Sequence, residues 1–177
     1  MTDAARQGPH IRRIVTGHDA SGKSVVWLDG PATNHKFPDE KLSATLMWVT
    51  DRLPADYSDG EDTGKRITGT APPPGGTRLA VLEIQPGNTL HGLHHTDTID
   101  YVICMAGEIE MELDDSTVKM KPGDVLIQRG TNHGWVNRST APARIAVMLT
   151  DAQPKRGDSV AGTQNRSEEH TSELQSH

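Results

Sequence analysis

Residues 91–137 read HGLHHTDTIDYVICMAGEIEMELDDSTVKMKPGDVLIQRGTNHGWVN, and their periodicity decides the fold. Within them Glu108–Leu113 alternates strictly. Ile109, Met111 and Leu113 fall on one face, and Glu108, Glu110 and Glu112 on the other, as in a strand with one buried and one solvated face. Asp114-Asp115 supplies a hairpin turn, and Pro122-Gly123 a second tight turn in which glycine takes a positive φ. Upstream lies TRLAVLEIQPG from Thr77, and downstream ARIAVMLTD. These are short β-branched runs with a turn signal about every 8–12 residues, the spacing of a sandwich or barrel. An all-β fold of about six or more strands, a sandwich or a barrel, is therefore expected over residues 77–150.

Further out the signals thin. His10–Thr16, Ser24–Leu28 and Ala44–Thr50 read as additional N-terminal strands. Residues 51–76 are rich in Asp, Gly, Thr and Pro and end in PPPGG, the texture of a long loop. The expected organisation is N-terminal strands and an arm packing on the barrel over 1–76, the barrel itself over 77–152, and a disordered tail over 153–177. The last twelve residues, RSEEHTSELQSH, resemble the in-frame translation of a common sequencing-library adapter. They are set aside from functional reasoning. Deleting 166–177 is expected to leave the melting temperature unchanged, because such a tail was never selected to pack.

Gly17–Ser24 (GHDASGKS) matches the G-x4-G-K-S/T pattern of a phosphate-binding loop. That loop needs a helix after it, whose N-terminal N–H groups hold the phosphates. Residues 25–31, VVWLDGP, are β-branched and aromatic, so Asp19–Lys23 is expected to be a hairpin turn instead.

Composition excludes several classes. The 177-residue chain carries a net charge of −6 and only six aromatic residues, against nucleic-acid binding. No apolar run approaches the roughly 20 residues of a membrane span. One cysteine, Cys104, rules out an intrachain disulfide and fits a cytoplasmic location. Asn137-Arg-Ser matches a glycosylation sequon, which has no use without secretion.

His91, His94 and His95 cluster within five residues, Asp97 and Asp100 follow, and His133 comes later. Imidazole and carboxylate together suit Zn, Fe, Mn, Ni or Cu. On an unbroken strand His94, Thr96, Thr98 and Asp100 would share one face, with His95 on the other. His91 and His95 read as rim residues, and Cys104 as a small buried hydrophobe.

These residues resemble the two motifs of the cupin superfamily. The first is G-x5-H-x-H-x3-4-E-x6-G. It meets Gly87, His94, Asp100 and Gly107, with Thr96 in place of the second histidine, aspartate in place of glutamate, and one extra residue before His94. The second is G-x5-P-x-G-x2-H-x3-N. It meets Gly123, Gly130, His133 and Asn137, with Arg129 at the proline position and one residue deleted beside it. The resemblance covers residues 77–150 and implies a jelly-roll barrel. It further implies a divalent metal (Fe, Zn, Mn or Ni) held by His94, His133 and Asp100, with His133 and Asp100 catalytic. Thr96, Tyr101, Trp135 and Gln128 would line a substrate pocket. The function so implied is a metal-dependent enzyme acting on a small organic molecule, enolisable or carboxylate-bearing, by lyase, isomerase or dioxygenase chemistry. The alternative is a metal-free binding or sensory module, or an acid–base enzyme using His133 and Asp100. The extra N-terminal strands suggest pairing with a second copy, hence a homodimer.

Overall fold

The structure, a computed structural model, describes residues 7–58, 60–89 and 92–154. The expected tail lies almost wholly outside the described residues, as does His91.

The alternating runs become strands with the anticipated parity. β1 (Arg12–His18) and β2 (Ser24–Pro31) form a hairpin, followed by β3 (His35–Asp39), β4 (Leu42–Thr50) and β5 (Thr77–Ile84). β6 (Thr98–Ala106), β7 (Ile109–Glu112), β8 (Thr117–Met120), β9 (Val125–Arg129), β10 (Gly134–Val136) and β11 (Ala143–Asp151) complete the order. A 3-10 turn over Thr63–Lys65 interrupts the long loop between β4 and β5. All pairings are antiparallel. A six-stranded sheet runs β3-β4-β5-β11-β6-β9, and a three-stranded sheet runs β10-β7-β8.

The two sheets close on one apolar interior. Ile84, Val102, Ile145, Val147 and Leu149 from the larger sheet meet Ile109 and Met120 from the smaller one. Each such side chain contributes about 1.5–3 kcal/mol by leaving water. The alternation of Glu108–Leu113 is realised here, with Ile109 and Met111 at 1% and 2% exposure. Glu110 and Glu112 face outward to Arg138. A second cluster sits behind the larger sheet, where Ile11 and Ala32, flanking the β1–β2 hairpin, pack on Val81, Met47 and Ala146. Cys104 is buried in the main core, as its small apolar character suggested.

Three expectations about the N-terminal half are resolved. The GHDASGKS segment is the turn of the β1–β2 hairpin, with Gly22 at φ +81° and the Asp19 carboxylate accepting from the Ser21 and Lys23 amides. Strand rather than helix follows it. The barrel sheet begins before residue 77, because β4 pairs with β5 from Leu42↔Ile84 to Thr50↔Thr77 and β3 pairs with β4. The boundary at 76 therefore falls between two neighbouring strands of one sheet. β4 is thereby paired on both sides, with β3 and with β5.

Gly107 closes the tight β6–β7 connection at φ +69°, and an added Cβ would fall 2.4 Å from the Pro142 carbonyl oxygen. Gly107→Ala is expected to cost about 2 kcal/mol from left-handed strain and the clash together. The shift of the urea midpoint measures it.

Candidate functional site

The site forms where the segment before β6 meets the segment before β10. His94 and His133 pair as an isolated antiparallel bridge, each amide donating to the other's carbonyl at 3.0 and 2.9 Å. Directly paired residues project to the same side of a ladder. The two imidazoles accordingly lie with centroids 4.6 Å apart and planes tilted by 48°. Trp135 stands edge-on to His133 at 6.2 Å.

His133 is buried, and its tautomer follows from its neighbours. The Thr131 carbonyl lies 3.0 Å from His133 Nδ1 and accepts from Gln128 Nε2, also at 3.0 Å. A carbonyl has no proton to give, so Nδ1 carries the hydrogen and Nε2 keeps its lone pair. The 3.2 Å approach of Gln128 Nε2 to Nδ1 reflects two donors converging on one oxygen. Burial pulls the His133 pKa below the ordinary imidazole value, against the Thr131 carbonyl, which pushes it up. His94 shifts the same way, first through burial of its ring and then through His133, although the residue as a whole remains exposed.

Asp100 sits on the inward face of β6 at 4% exposure. Burial pushes its carboxyl above the usual range, opposed by the Thr98 hydroxyl and by His94. Thr96 joins through a 2.6 Å hydroxyl contact with Thr98. One carboxyl oxygen, Oδ1, has no hydrogen-bond partner, and neither has Gln128 Oε1. Gln128 is the direct cross-strand neighbour of Asp100.

A cupin-domain family model matches residues 80–149. The phomopsin biosynthesis cluster protein C' of Diaporthe leptostromiformis is 34% identical over 84% of this chain and 84% of its own length. The chain belongs to the cupin superfamily. A further relative, the cupin-domain-containing oxidoreductase srdD of Neurospora crassa, is 31% identical over 92% of this chain and 89% of its own. Among solved structures, a cupin 2 conserved barrel domain protein from Salinispora arenicola shares 20% identity over 66% of this chain and 81% of that one, with a TM-score of 0.44.

In this cupin the expected metal set does not assemble. Among the described residues no three His, Cys, Asp or Glu side chains come together to hold a metal ion. The parity argument from His94 to Asp100 assumed one unbroken strand. β6 starts only at Thr98, after a bend at Asp97, so His94 belongs to the bridge and Asp100 to the sheet. Two imidazoles fall short of the three protein ligands of a catalytic metal site. His94, His133 and Asp100 as they stand therefore do not fit the group.

Gln128 pairs directly with Asp100 and approaches His133, Thr96 meets Thr98, which bonds Asp100, and Trp135 stands against His133. Tyr101 lies apart from them. It is 43% exposed on the outward face of β6, because it is one residue from Asp100 and strand parity sends it away. His95 is exposed, as expected of a rim residue.

One inward residue escaped the sequence reading. The direct pairs Gln128↔Asp100, Asp100↔Leu149 and Leu149↔Arg78 form one rung across β9, β6, β11 and β5. Arg78 is 6% exposed on that rung. Its signal was present in TRLAVLEI, where it occupies the inward register of Ala80, Leu82 and Ile84.

Proposed function

We propose that this chain is a cupin enzyme that moves a proton on a small enolisable molecule, with Asp100 as the acid and His133 as the base. The observation that carries this reading is the buried Asp100 carboxyl, with one oxygen unpartnered, in the same site as an imidazole whose Nε2 is free. Burial favours the neutral form of each group, raising the carboxyl and lowering the imidazole, so the two titrations move toward each other, as suits an acid and a base in one site. The tilted His94 ring packs against the His133 ring, with centroids 4.6 Å apart. Relatives named as oxidoreductases and as a biosynthesis-cluster protein support an enzyme-like role on a small organic molecule. No step is assigned to a metal, because among the described residues His94, His133 and Asp100 do not assemble a ligand set.

The test is hydrogen exchange in D2O, followed by proton NMR, against a panel of β-keto acids and β-diketones. Wild-type protein is expected to exchange the α-hydrogen of at least one compound, and His133→Gln to lose about 100-fold or more of that rate. Exchange retained by the His133→Gln/Asp100→Asn double variant would overturn the assignment. Elemental analysis before and after chelation separates the metal-dependent alternative. Activity that leaves with a metal and returns with it would establish that reading instead. Ligand binding without any exchange would favour a sensory module.

A further inference from the structure

Among the described residues, three buried side-chain polar atoms lack a hydrogen-bond partner: Arg78 Nε, Asp100 Oδ1 and Gln128 Oε1. All three belong to the single rung Gln128–Asp100–Leu149–Arg78, on the face of the larger sheet that lines the barrel. Buried polar groups are ordinarily satisfied, so three orphans on one line mark a place built for a molecule rather than three separate defects. Each end asks for something different. Gln128 Oε1 needs a hydrogen-bond donor. Arg78 needs an anion, because a guanidinium cannot shed its charge by releasing a proton as a buried lysine can. Water can satisfy Gln128 and Asp100, but it does not neutralise Arg78.

No counter-ion for Arg78 exists among the described side chains. It makes no ion pair, and burial alone acts on its pKa, with no carboxylate contributing. The small cavity on its β3–β4 side, about 10 Å³, is lined by Asn34, Lys36, Arg66 and Thr68 as well as by apolar groups, and by no carboxylate. That volume admits at most one water, so the missing anion does not sit there. The rung offers the other approach, from the side of Asp100. Two strand spacings separate the Asp100 and Arg78 backbones, about 10 Å.

We propose that this rung is the substrate cradle and that Arg78 anchors a carboxylate. The ligand class is a small hydroxy or enol acid, with its hydroxyl end at Gln128 and Asp100 and its carboxylate on the Arg78 guanidinium. The proposal rests on the acid–base reading of the same site, and it adds the substrate's charge and its orientation. Arg78 is a binding and specificity residue, since it lies at the opposite end of the rung from the reacting groups.

The test uses the full chain and three probes, 3-hydroxybenzoate, the neutral 3-hydroxybenzamide and inorganic phosphate, with binding read by calorimetry. Wild type is expected to favour the carboxylate over the amide by about tenfold or more, the scale of one charge-assisted bidentate contact. Arg78→Met should abolish that preference, and Arg78→Lys should keep part of it, retaining the charge without the fork. Arg78→Met should also melt at or above the wild-type temperature, because an uncompensated buried charge is being removed. Absence of carboxylate binding by wild type, an unchanged preference in Arg78→Met or Arg78→Lys, or phosphate binding as tight as the carboxylate would each overturn the proposal. The two readings fail separately. Carboxylate preference without proton exchange removes the acid–base role alone, and proton exchange without carboxylate preference removes the anchor alone.

Discussion

Asp100→Asn is expected to reduce turnover by about 100- to 10,000-fold, the range for loss of a positioned acid. Its stability should be equal to or above that of wild type. The two effects have opposite signs for one physical reason. Burial raises the Asp100 carboxyl, so the native chain binds that proton more tightly than the unfolded chain does. Stability from this group is greatest at low pH and declines as pH rises through the window from the unfolded to the raised folded value. Asparagine carries no charge to desolvate and escapes that decline. A thermal melt at neutral pH, paired with the exchange rate, reads both effects. The pH profile of wild type should be bell-shaped, because the rate needs Asp100 protonated and His133 unprotonated. Asp100→Asn should leave no basic limb in whatever rate remains. A marked loss of stability in this variant would mean that the carboxyl is structural.

Asp62→Ala should have the largest effect on stability, about 3–4 kcal/mol. Arg13 from β1 donates to both carboxylate oxygens of Asp62 at 2.7 and 2.6 Å, and to the Met47 carbonyl at the β4 bulge. Both side chains are largely buried, at 13% and 12% exposure, so removing one partner leaves the other charge uncompensated. Asp62 also accepts from the Gly64 amide at the start of the 3-10 turn, and that cap is lost with it. Through this residue the long loop is tied to the N-terminal hairpin and to β4. The Arg13 hydrogen bonds hold the Asp62 carboxyl below the usual aspartate range. Its contribution is therefore complete above the unfolded pKa and disappears as pH falls through the depressed folded value. Chemical denaturation at neutral and at acidic pH should show the gap between Asp62→Ala and wild type closing on acidification. A constant gap would contradict the pairing.

The strands that alternate were readable, because a period of two places apolar groups in a core whatever the neighbours are. Glu108–Leu113 needed nothing beyond its own residues. β3 was missed because HKFPD carries proline and no apolar alternation, and only its pairing with β4 makes it a strand. The histidines were found by residue type and spacing, and the bridge between His94 and His133 brings them together. Spacing could not locate the bend at Asp97, and one broken repeat was enough to separate His94 from the parity of Asp100. Arg78 was hidden for a different reason. An arginine in an apolar run reads as a solvated position until cross-strand register places it beside Leu149, and register is a property of two strands at once.

β6 carries two interleaved messages. Positions 98, 100, 102 and 104 are buried, whereas Ile99, Tyr101, Ile103 and Met105 are 37–47% exposed. An engineer can therefore rewrite one message without editing the other. Replacing Ile103 and Met105 with threonine or lysine would make the surface more hydrophilic while the rung from Gln128 to Arg78 kept every atom. A selection for solubility run on this strand would explore the odd positions freely and stop at the even ones. The pattern of tolerated substitutions in such a library would thus map the inward face of the barrel with no assay for the reaction at all.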